Sequence, residues 1–345
     1  MGITWCSSSS LKQQSNIINN HLFYLEQSTL PTPIEPLLPS STLSSSTETH
    51  SSTIFTLTTY TPNTSRTKTE INLRILSSLS GISQLTHNNN LYLCGSPLSS
   101  STGASLLTID SSKSLTNPQL HFLINSKMPH YKPSLIVLPS DNNFIVIGGK
   151  QQKECECFDF KTSKWRFLPD LPQERYKASL AVCGNGKYLF VFGGYCSENG
   201  NIISNEILSI RISTLMIWEK IVVKEHDALF LGRNCCGCVS YCNDTTKQNV
   251  IYIFGGKDNN KSKSNQIIEY NVNDNKTRIL KQKLKENTSF YNYQCICDHS
   301  EQIIYFLEKN KKLIKLNMKH FINKDNANMI NEIEEDDNTH KPDIY

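Results

Sequence analysis

Apolar residues along this chain occur in short runs separated by polar turns, and the clearest runs end in paired glycines. Three of them stand out: "FIVIGGK" ending at Lys150, "YLFVFGGY" ending at Tyr195 and "VIYIFGGK" ending at Lys257. Each is followed by a polar loop and a further apolar run, "CECFDF", "EILSIRI" or "QIIEYNV". Runs of about four to eight residues with almost no helical periodicity predict β-strands.

The glycine pairs mark an internal repeat. Each interval between pairs contains a tryptophan and then an arginine: Trp165 and Arg175 in the first interval, Trp218 and Arg233 in the second. After the third pair, Arg278 is a weaker match for the tryptophan position. The distance from Gly149 to Gly194 is 45 residues and that from Gly194 to Gly256 is 62, and the extra residues are spread over all the intervals between landmarks. Insertions distributed in this way are typical of loops in a true repeat.

Weaker copies extend the repeat in both directions. "NNNLYLCGS" places Cys94-Gly95 where the glycine pair belongs, while "EQIIYFLEKN" and "NNHLFYLEQ" resemble the same strand without the glycines. Counting every copy gives six units, within a range of five to seven. Short antiparallel strands in groups of four, repeated radially, form the blades of a β-propeller. The sequence therefore predicts an all-β propeller of six four-stranded blades, with divergent first and last blades.

The glycine pair, the aromatic or acidic strand after it and the tryptophan together resemble kelch repeats, whose unit is about this long. The resemblance is clearest over residues 134–280. We expect the glycines to permit backbone contacts that a β-carbon would obstruct, and the tryptophans to pack against neighbouring blades. The predicted structural positions of the repeat are Gly148, Gly149, Trp165, Gly193, Gly194, Trp218, Gly255 and Gly256.

The repeats predict one propeller domain over residues 21–320, and the flanking segments differ from it in composition. Residues 1–20 are expected to be a flexible N-terminal segment, and residues 31–52, rich in Pro, Ser and Thr, a low-complexity insert or linker. Residues 321–345 carry an acidic run and no strand pattern, which predicts a disordered acidic tail.

Composition and charge narrow the class of protein. The chain is 38% hydrophobic and 19% charged, and its net charge of +4 is too small to indicate a nucleic-acid partner. It contains no apolar run of about 18 residues and no secretory signal, which predicts a cytoplasmic or nuclear protein without a membrane span. Gly2 after Met1 leaves N-terminal acylation as an alternative.

The stretch "GRNCCGCVSYC" at residues 232–242 suggests a metal site at first sight. Cys235 and Cys236 are adjacent, however, and no second ligand pair lies at a usual distance for zinc. The stretch aligns with "ERYKASLAVC" of the preceding repeat, which predicts an inner strand with Cys236 and Cys238 on one face and Cys235 on the other. Buried structural cysteine is the favoured interpretation, and a metal site using Cys236, Cys238 and Cys242 is the alternative.

Catalytic chemistry has no clear motif in this sequence. The nine histidines lack the paired spacing of a copper site, and no Ser-His-Asp order or phosphate-binding glycine loop is present. We therefore predict no catalytic residues and no cofactor. A protein-interaction module is the expected function, and an enzymatic or metal-dependent activity in the propeller channel is the alternative.

In kelch propellers, the loops between second and third strands and those between blades share a face that often receives a peptide or partner protein. Those are the loops enlarged here. The segment after Gly256 is rich in lysine, which indicates either a solvated edge of the sheet or a site for an acidic or phosphorylated partner. Arg175 and Arg233 could bond to blade carbonyls or point towards a ligand. The candidate partner-binding residues are Arg175, Tyr176, Tyr195, Glu198, Asn199, His226, Asp227, Arg233, Lys257, Asp258, Lys261 and Lys263.

Overall fold

The structure, a computed structural model, describes residues 22–27, 54–61, 64–72, 81–87, 90–110, 119–138, 143–183, 186–197, 202–214, 217–223, 232–242, 249–288, 290–298, 303–308 and 313–318. These residues form strands and connecting loops, and none of them is helical. Within them, accordingly, nothing has the length and apolar character of a membrane-crossing helix.

The strands follow one another in sheets that use consecutive segments of the chain. The first sheet contains β1 (Leu22–Gln27), β2 (Ile54–Thr61) and β3 (Thr64–Asn72). The second contains β4 (Ile82–His87), β5 (Asn90–Gly95), β6 (Ser105–Asp110) and β7 (Gln119–Phe122). The third contains β8 (Ser134–Val137), β9 (Phe144–Gly149), β10 (Gln152–Asp159) and β11 (Lys164–Leu168).

The later sheets repeat this arrangement. The fourth contains β12 (Ser179–Cys183), β13 (Tyr188–Phe192), β16 (Ile207–Arg211) and β17 (Glu219–Ile221), with a small hairpin, β14 (Tyr195–Cys196) and β15 (Ile202–Ile203), inserted after its second strand. The fifth contains β18 (Gly237–Cys242), β19 (Asn249–Phe254), β20 (Ser264–Asn271) and β21 (Lys276–Thr288). The sixth contains β22 (Phe290–Asp298), β23 (Ile303–Glu308) and β24 (Leu313–Asn317).

The four-stranded sheets are blades of a propeller. Within each one, neighbouring strands are antiparallel and consecutive in the chain, except that the inserted hairpin separates β13 from β16. The first strands of successive sheets contact one another in the order β4, β8, β12, β18 and β22, and β22 contacts β4, while β1 contacts β4 and β5. The predicted all-β propeller is confirmed. Four sheets have the four strands of a complete blade, and the predicted total of six blades stays a prediction.

The core lies between blades, where facing sheets bury their apolar side chains. One cluster joins the second and third sheets and includes Tyr92, Leu106 and Phe144. Equivalent clusters join the third sheet to the fourth, the fourth to the fifth, and the fifth to the sixth. Because a single twisted sheet cannot enclose a core by itself, each blade depends on its neighbours for burial.

The two tryptophans of the repeat occupy the predicted place at the outer edge of the blades, Trp165 on β11 and Trp218 directly before β17. Trp165 lies within the cluster shared with the preceding blade, and its indole nitrogen donates to the carbonyl oxygen of Ile124 at 2.8 Å. Trp218 packs against the third sheet in the same way and donates to the carbonyl oxygen of Pro169 at 2.9 Å. Each ring therefore joins its blade to the one before it.

Strand register corrects two details of the repeat. Ser83 pairs with Cys94 in the second sheet, and the equivalent Ser134 pairs with Ile147 in the third. Since the glycine pair directly follows Ile147, its equivalents in the second sheet are Gly95 and Ser96, one position later than predicted. In the fifth sheet the position of the tryptophan belongs to Thr277, which is buried. Arg278, the predicted match, lies on the opposite side of the strand, where it forms an ion pair with Glu269 at 2.6 Å.

Candidate functional site

The two kinds of loop that were predicted to share a face do so. Because the strands alternate in direction, the loops after each second strand and before each first strand lie at the same end of the blades. We call this end the loop face; its described part comprises residues 96–104, 123–133, 150–151, 169–178, 193–197, 202–206, 222–223, 232–236 and 255–263. It contains the described candidate residues from Arg175 to Lys263.

Arg175 lies beneath the loop face, with 1% of its surface exposed. Its guanidinium donates to the carbonyl oxygen of Gly193 at 3.4 Å and to Oε2 of Glu206 at 2.6 Å. It therefore ties the start of its blade to the turn after the second strand of the same blade.

Arg233 repeats this arrangement in the next blade with 4% exposure. Its guanidinium donates to the carbonyl oxygen of Gly255 at 3.1 Å and to Oε1 of Gln266 at 2.5 Å. Of the two interpretations predicted for these arginines, bonding to blade carbonyls is the one observed. Burial removes the side chains of Arg175 and Arg233 from the accessible surface, so they support the loops rather than contact a partner from outside.

His130 takes the corresponding place in the third sheet and is completely buried. Its Nδ1 lies 2.7 Å from the carbonyl oxygen of Gly148, and its Nε2 lies 3.1 Å from Oε2 of Glu156. Glu156 also accepts hydrogen bonds from the backbone nitrogens of Lys127 and Met128, each at 2.9 Å. The loop that leads into β8 is therefore fixed from both sides by buried polar groups.

Tyr176 and Tyr195 form a stacked aromatic pair on the loop face. Their ring centroids are 5.1 Å apart, and each residue donates its backbone N–H to the carbonyl oxygen of the other, at 3.2 and 2.9 Å. Asn234 and Lys257 form the same doubly bonded pair in the next blade, at 3.1 and 2.9 Å. The structure thus brings together four residues that the sequence separates widely, three of them predicted candidates.

The loops after the second strands also contact one another across blades. The backbone nitrogen of Gln151 donates to Oγ of Ser197 at 3.3 Å, and that of Ile203 donates to Oδ1 of Asn259 at 2.7 Å. The inserted hairpin makes both contacts, through Ser197 directly after β14 and through Ile203 on β15. The loops of three successive blades consequently form one continuous surface.

Comparison with known proteins agrees with this architecture. A sequence profile of the Attractin/LZTR1 beta-propeller matches residues 124–308, more than half of the chain. The chain belongs to the Attractin/LZTR1 beta-propeller family. It is also similar to an F-box/kelch-repeat protein of Arabidopsis thaliana, with 31% identity over 103 residues, which cover 28% of this chain and 28% of that protein. The predicted kelch resemblance is confirmed, and kelch-type propellers commonly serve as protein-interaction modules.

In this Attractin/LZTR1-type propeller the second half of the cysteine-rich stretch forms β18, the inner strand that was predicted. Cys236 and Cys238 are buried in the cluster between the fourth and fifth sheets. Cys235 precedes the strand in a left-handed conformation with φ of 55°, which corrects its predicted place on the opposite face of the strand. Within the described residues, no three His, Cys, Asp or Glu side chains could hold a metal ion together. The side chain of Cys242 lies outside the described residues.

Other predicted positions also lie outside the described residues of this family member: Glu198, Asn199, His226 and Asp227. The structure adds Tyr131, Lys132, Lys177 and Cys235, which surround the predicted residues and were not identified as candidates. A signal for three of them was present, because "YKPS" at residues 131–134 recurs as "YKAS" at residues 176–179. The two tetrapeptides occupy equivalent positions before β8 and β12.

Proposed function

We propose that this propeller is a protein-interaction module that binds a partner protein or an acidic peptide through the loop face. The observation that carries the proposal is the continuous surface made by the loops of three blades, joined by the Gln151–Ser197 and Ile203–Asn259 hydrogen bonds. A partner can contact several loops at once on such a surface, and a rigid sheet scaffold keeps the loops in place.

The charge of this surface favours an acidic ligand. Lys261 and Lys263 are exposed, and Lys257 is half-buried beside them. The nearby Asp258 is engaged within its own turn, where Oδ1 accepts the backbone N–H of Ser262 at 2.8 Å. Complementary charge raises the rate of association and selects against basic partners.

The proposal is tested by affinity capture with purified full-length chain as bait. The variant carries Lys257→Glu, Lys261→Glu and Lys263→Glu, and bound proteins are quantified by mass spectrometry beside the wild type. We expect a defined set of proteins to fall at least about tenfold, since reversed charges repel an acidic surface. A second bait shortened within residues 196–203 asks whether the same set depends on the inserted hairpin.

A matched control carries Lys161→Glu, Lys164→Glu and Lys187→Glu. These lysines are exposed and lie in or directly beside the turns at the opposite end of the blades. The control changes the net charge by the same amount. If the control variant lost the same proteins, binding would depend on net charge rather than on the loop face, which would overturn the proposal. Retention of every captured protein by both loop-face variants would overturn it as well.

A further inference from the structure

A repeated backbone feature marks the centre of the loop face. Lys132, Lys177 and Cys235 occupy equivalent positions before β8, β12 and β18, and their φ angles are 54°, 56° and 55°. Left-handed backbone favours glycine, and other residues adopt it at a cost of about 1–2 kcal/mol. Non-glycine residues held in this region concentrate at functional sites. The chain retains a lysine side chain at two of the three positions.

Backbone hydrogen bonds link this position to the equivalent loop of the preceding blade. The backbone nitrogen of Lys132 donates to the carbonyl oxygen of Gly81 at 2.9 Å, and that of Cys235 donates to the carbonyl oxygen of Lys177 at 3.4 Å. Lys257 is joined through its backbone to Asn234, the neighbour of Cys235. We call Lys132, Lys177 and Lys257 the lysine cluster; its members lie on three consecutive blades beside the ends of the inner strands.

Within the part of the chain that the structure describes, the lysines of the cluster form no ion pair. Burial lowers the pKa of Lys177; Cys235 opposes this shift, while the charges of Lys132 and Lys257 add to it. An anion bound between the three ammonium groups would relieve their mutual repulsion.

Tyrosines flank the lysine cluster and add hydrogen-bond donors. The ammonium of Lys132 lies 5.0 Å from the ring centroid of Tyr131. The stacked rings of Tyr176 and Tyr195 lie on the next blade, and burial raises the pKa of both phenols, with further contributions from neighbouring groups. Both hydroxyls therefore remain protonated at neutral pH and can donate to an anion.

We infer that the lysine cluster binds a phosphoryl group, carried by a phosphorylated peptide of the partner. This inference rests on the proposed function and specifies the ligand chemistry at the centre of the same face. A phosphoryl group carries a charge of about −1.5 to −2 at pH 7 and three strong acceptor oxygens, which suits three ammonium groups and neighbouring phenols. A single carboxylate provides half of that charge or slightly more. Free phosphate compounds share this chemistry and are distinguished by the test.

The test uses the full-length chain and fluorescent degenerate peptide libraries with a fixed central phosphoserine or, as the matched probe, serine. Binding is followed by fluorescence anisotropy. We expect the phosphoserine library to bind at least tenfold more tightly than the serine library. Lys177→Gln should abolish that difference, Lys177→Arg should retain it, and the exposed Lys164→Gln on β11 should leave it unchanged.

Inorganic phosphate serves as competitor. If the peptide is the source of the phosphoryl group, phosphate should displace the phosphoserine library only at concentrations at least tenfold above those needed of unlabelled library. Displacement at equal concentrations overturns that source. Equal binding of the two libraries to the wild type, or an unchanged preference in both Lys132→Gln and Lys177→Gln, overturns the phosphoryl site itself.

A footprint on the wild type does not depend on how the variants fold. Acetylation of lysines by an N-hydroxysuccinimide ester, measured by mass spectrometry, should fall at least threefold at Lys132 and Lys177 when the phosphoserine library is present, and stay constant at Lys164. Unchanged acetylation at all three sites contradicts the inference. If the affinity capture still depended on the loop face in that case, only the phosphoryl site would be overturned. Failure of the inference can therefore be distinguished from failure of the proposed function.

Discussion

Gly193 lies directly against the carbonyl oxygen of Arg233 in the next blade, and a β-carbon at residue 193 would overlap that oxygen. The backbone at Gly193 has φ of 58°, in the region that favours glycine. The adjacent Gly194 donates its N–H to the same carbonyl oxygen at 3.0 Å. The glycine pair of the repeat is therefore a contact between blades, and the same relationship joins Gly149 to Arg175 at 2.8 Å.

We expect Gly193→Ala to destabilise the propeller by roughly 2–4 kcal/mol, because it adds both backbone strain and an overlap with another blade. Chemical denaturation followed by tryptophan fluorescence measures the change. Lys132→Ala is the matched control, since residue 132 has a similar φ of 54° and already carries a β-carbon. Similar losses in the two variants would contradict the importance of the blade contact.

The tryptophans provide a second test of contact between blades. Trp165→Ala and Trp218→Ala should each cost roughly 3–5 kcal/mol, because each removes a large buried ring from the interface with the preceding blade. Phe167→Ala, on the same strand as Trp165 but 53% exposed, should cost less than about 1 kcal/mol. A melting temperature unchanged by either tryptophan substitution would count against the packing described.

Glu206 should make the fourth blade sensitive to acid. Burial alone would raise the pKa of Glu206, but Lys220 and Arg175 outweigh it and hold that pKa below its usual range. A lowered folded-state pKa stabilises the fold above the unfolded-state value, and this contribution is lost as the pH falls through the folded-state value. Glu206→Gln should therefore be less stable than the wild type at pH 7, with the gap closing between about pH 5 and pH 2.

The neighbouring blade supplies the converse experiment. Gln266 holds the same place relative to Arg233 that Glu206 holds relative to Arg175. Gln266→Glu should raise stability at pH 7 more than at pH 2, measured by urea denaturation at both values. If Glu206→Gln and the wild type kept a constant difference across this range, the carboxylate would not be the source of the acid sensitivity.

Lys177→Gly separates stability from binding. Glycine relieves the left-handed backbone at residue 177 but adds chain entropy to the unfolded state, so the free energy of unfolding should change by no more than about 1 kcal/mol. Phosphoserine-library binding should be lost in the same variant. Lys164→Gly, in the extended strand β11, is the control and should lower stability by about 0.5–1 kcal/mol without affecting binding. A Lys177→Gly variant that still binds would contradict a role for its ammonium group.

Much of the fold could be predicted because the propeller repeats its landmarks. The glycine pairs and tryptophans occupy positions dictated by contact between blades, so their order survives loops of different length. The copy without a complete glycine pair was predicted one residue out of register, because Cys94-Gly95 was matched to the pair instead of Gly95-Ser96. Strand side chains alternate between faces, so a shift of one residue is invisible in composition but decisive in the sheet.

The candidate site was harder to predict, because its members are assembled by the ring rather than by local sequence. Tyr176 and Tyr195 were identified beside glycine pairs and arginines, and they do stack. Lys132 and Lys177 were not predicted as site residues, since a single lysine in a loop is usually a solvated charge. Their shared backbone conformation distinguishes them, and that conformation depends on contacts with other blades.

Three serine hydroxyls cross the boundaries between inner strands: Ser83 donates to the carbonyl oxygen of Pro133 at 2.6 Å, Ser134 to that of Ala178 at 2.8 Å and Ser179 to that of Cys236 at 2.6 Å. Each blade therefore completes the hydrogen bonding of the one before it. Any fragment cut between these blades would expose an unpaired buried hydroxyl, a bare glycine amide and half of an apolar cluster at the cut. For expression, crystallisation or display, the indivisible unit of this protein is the ring of blades rather than the single repeat.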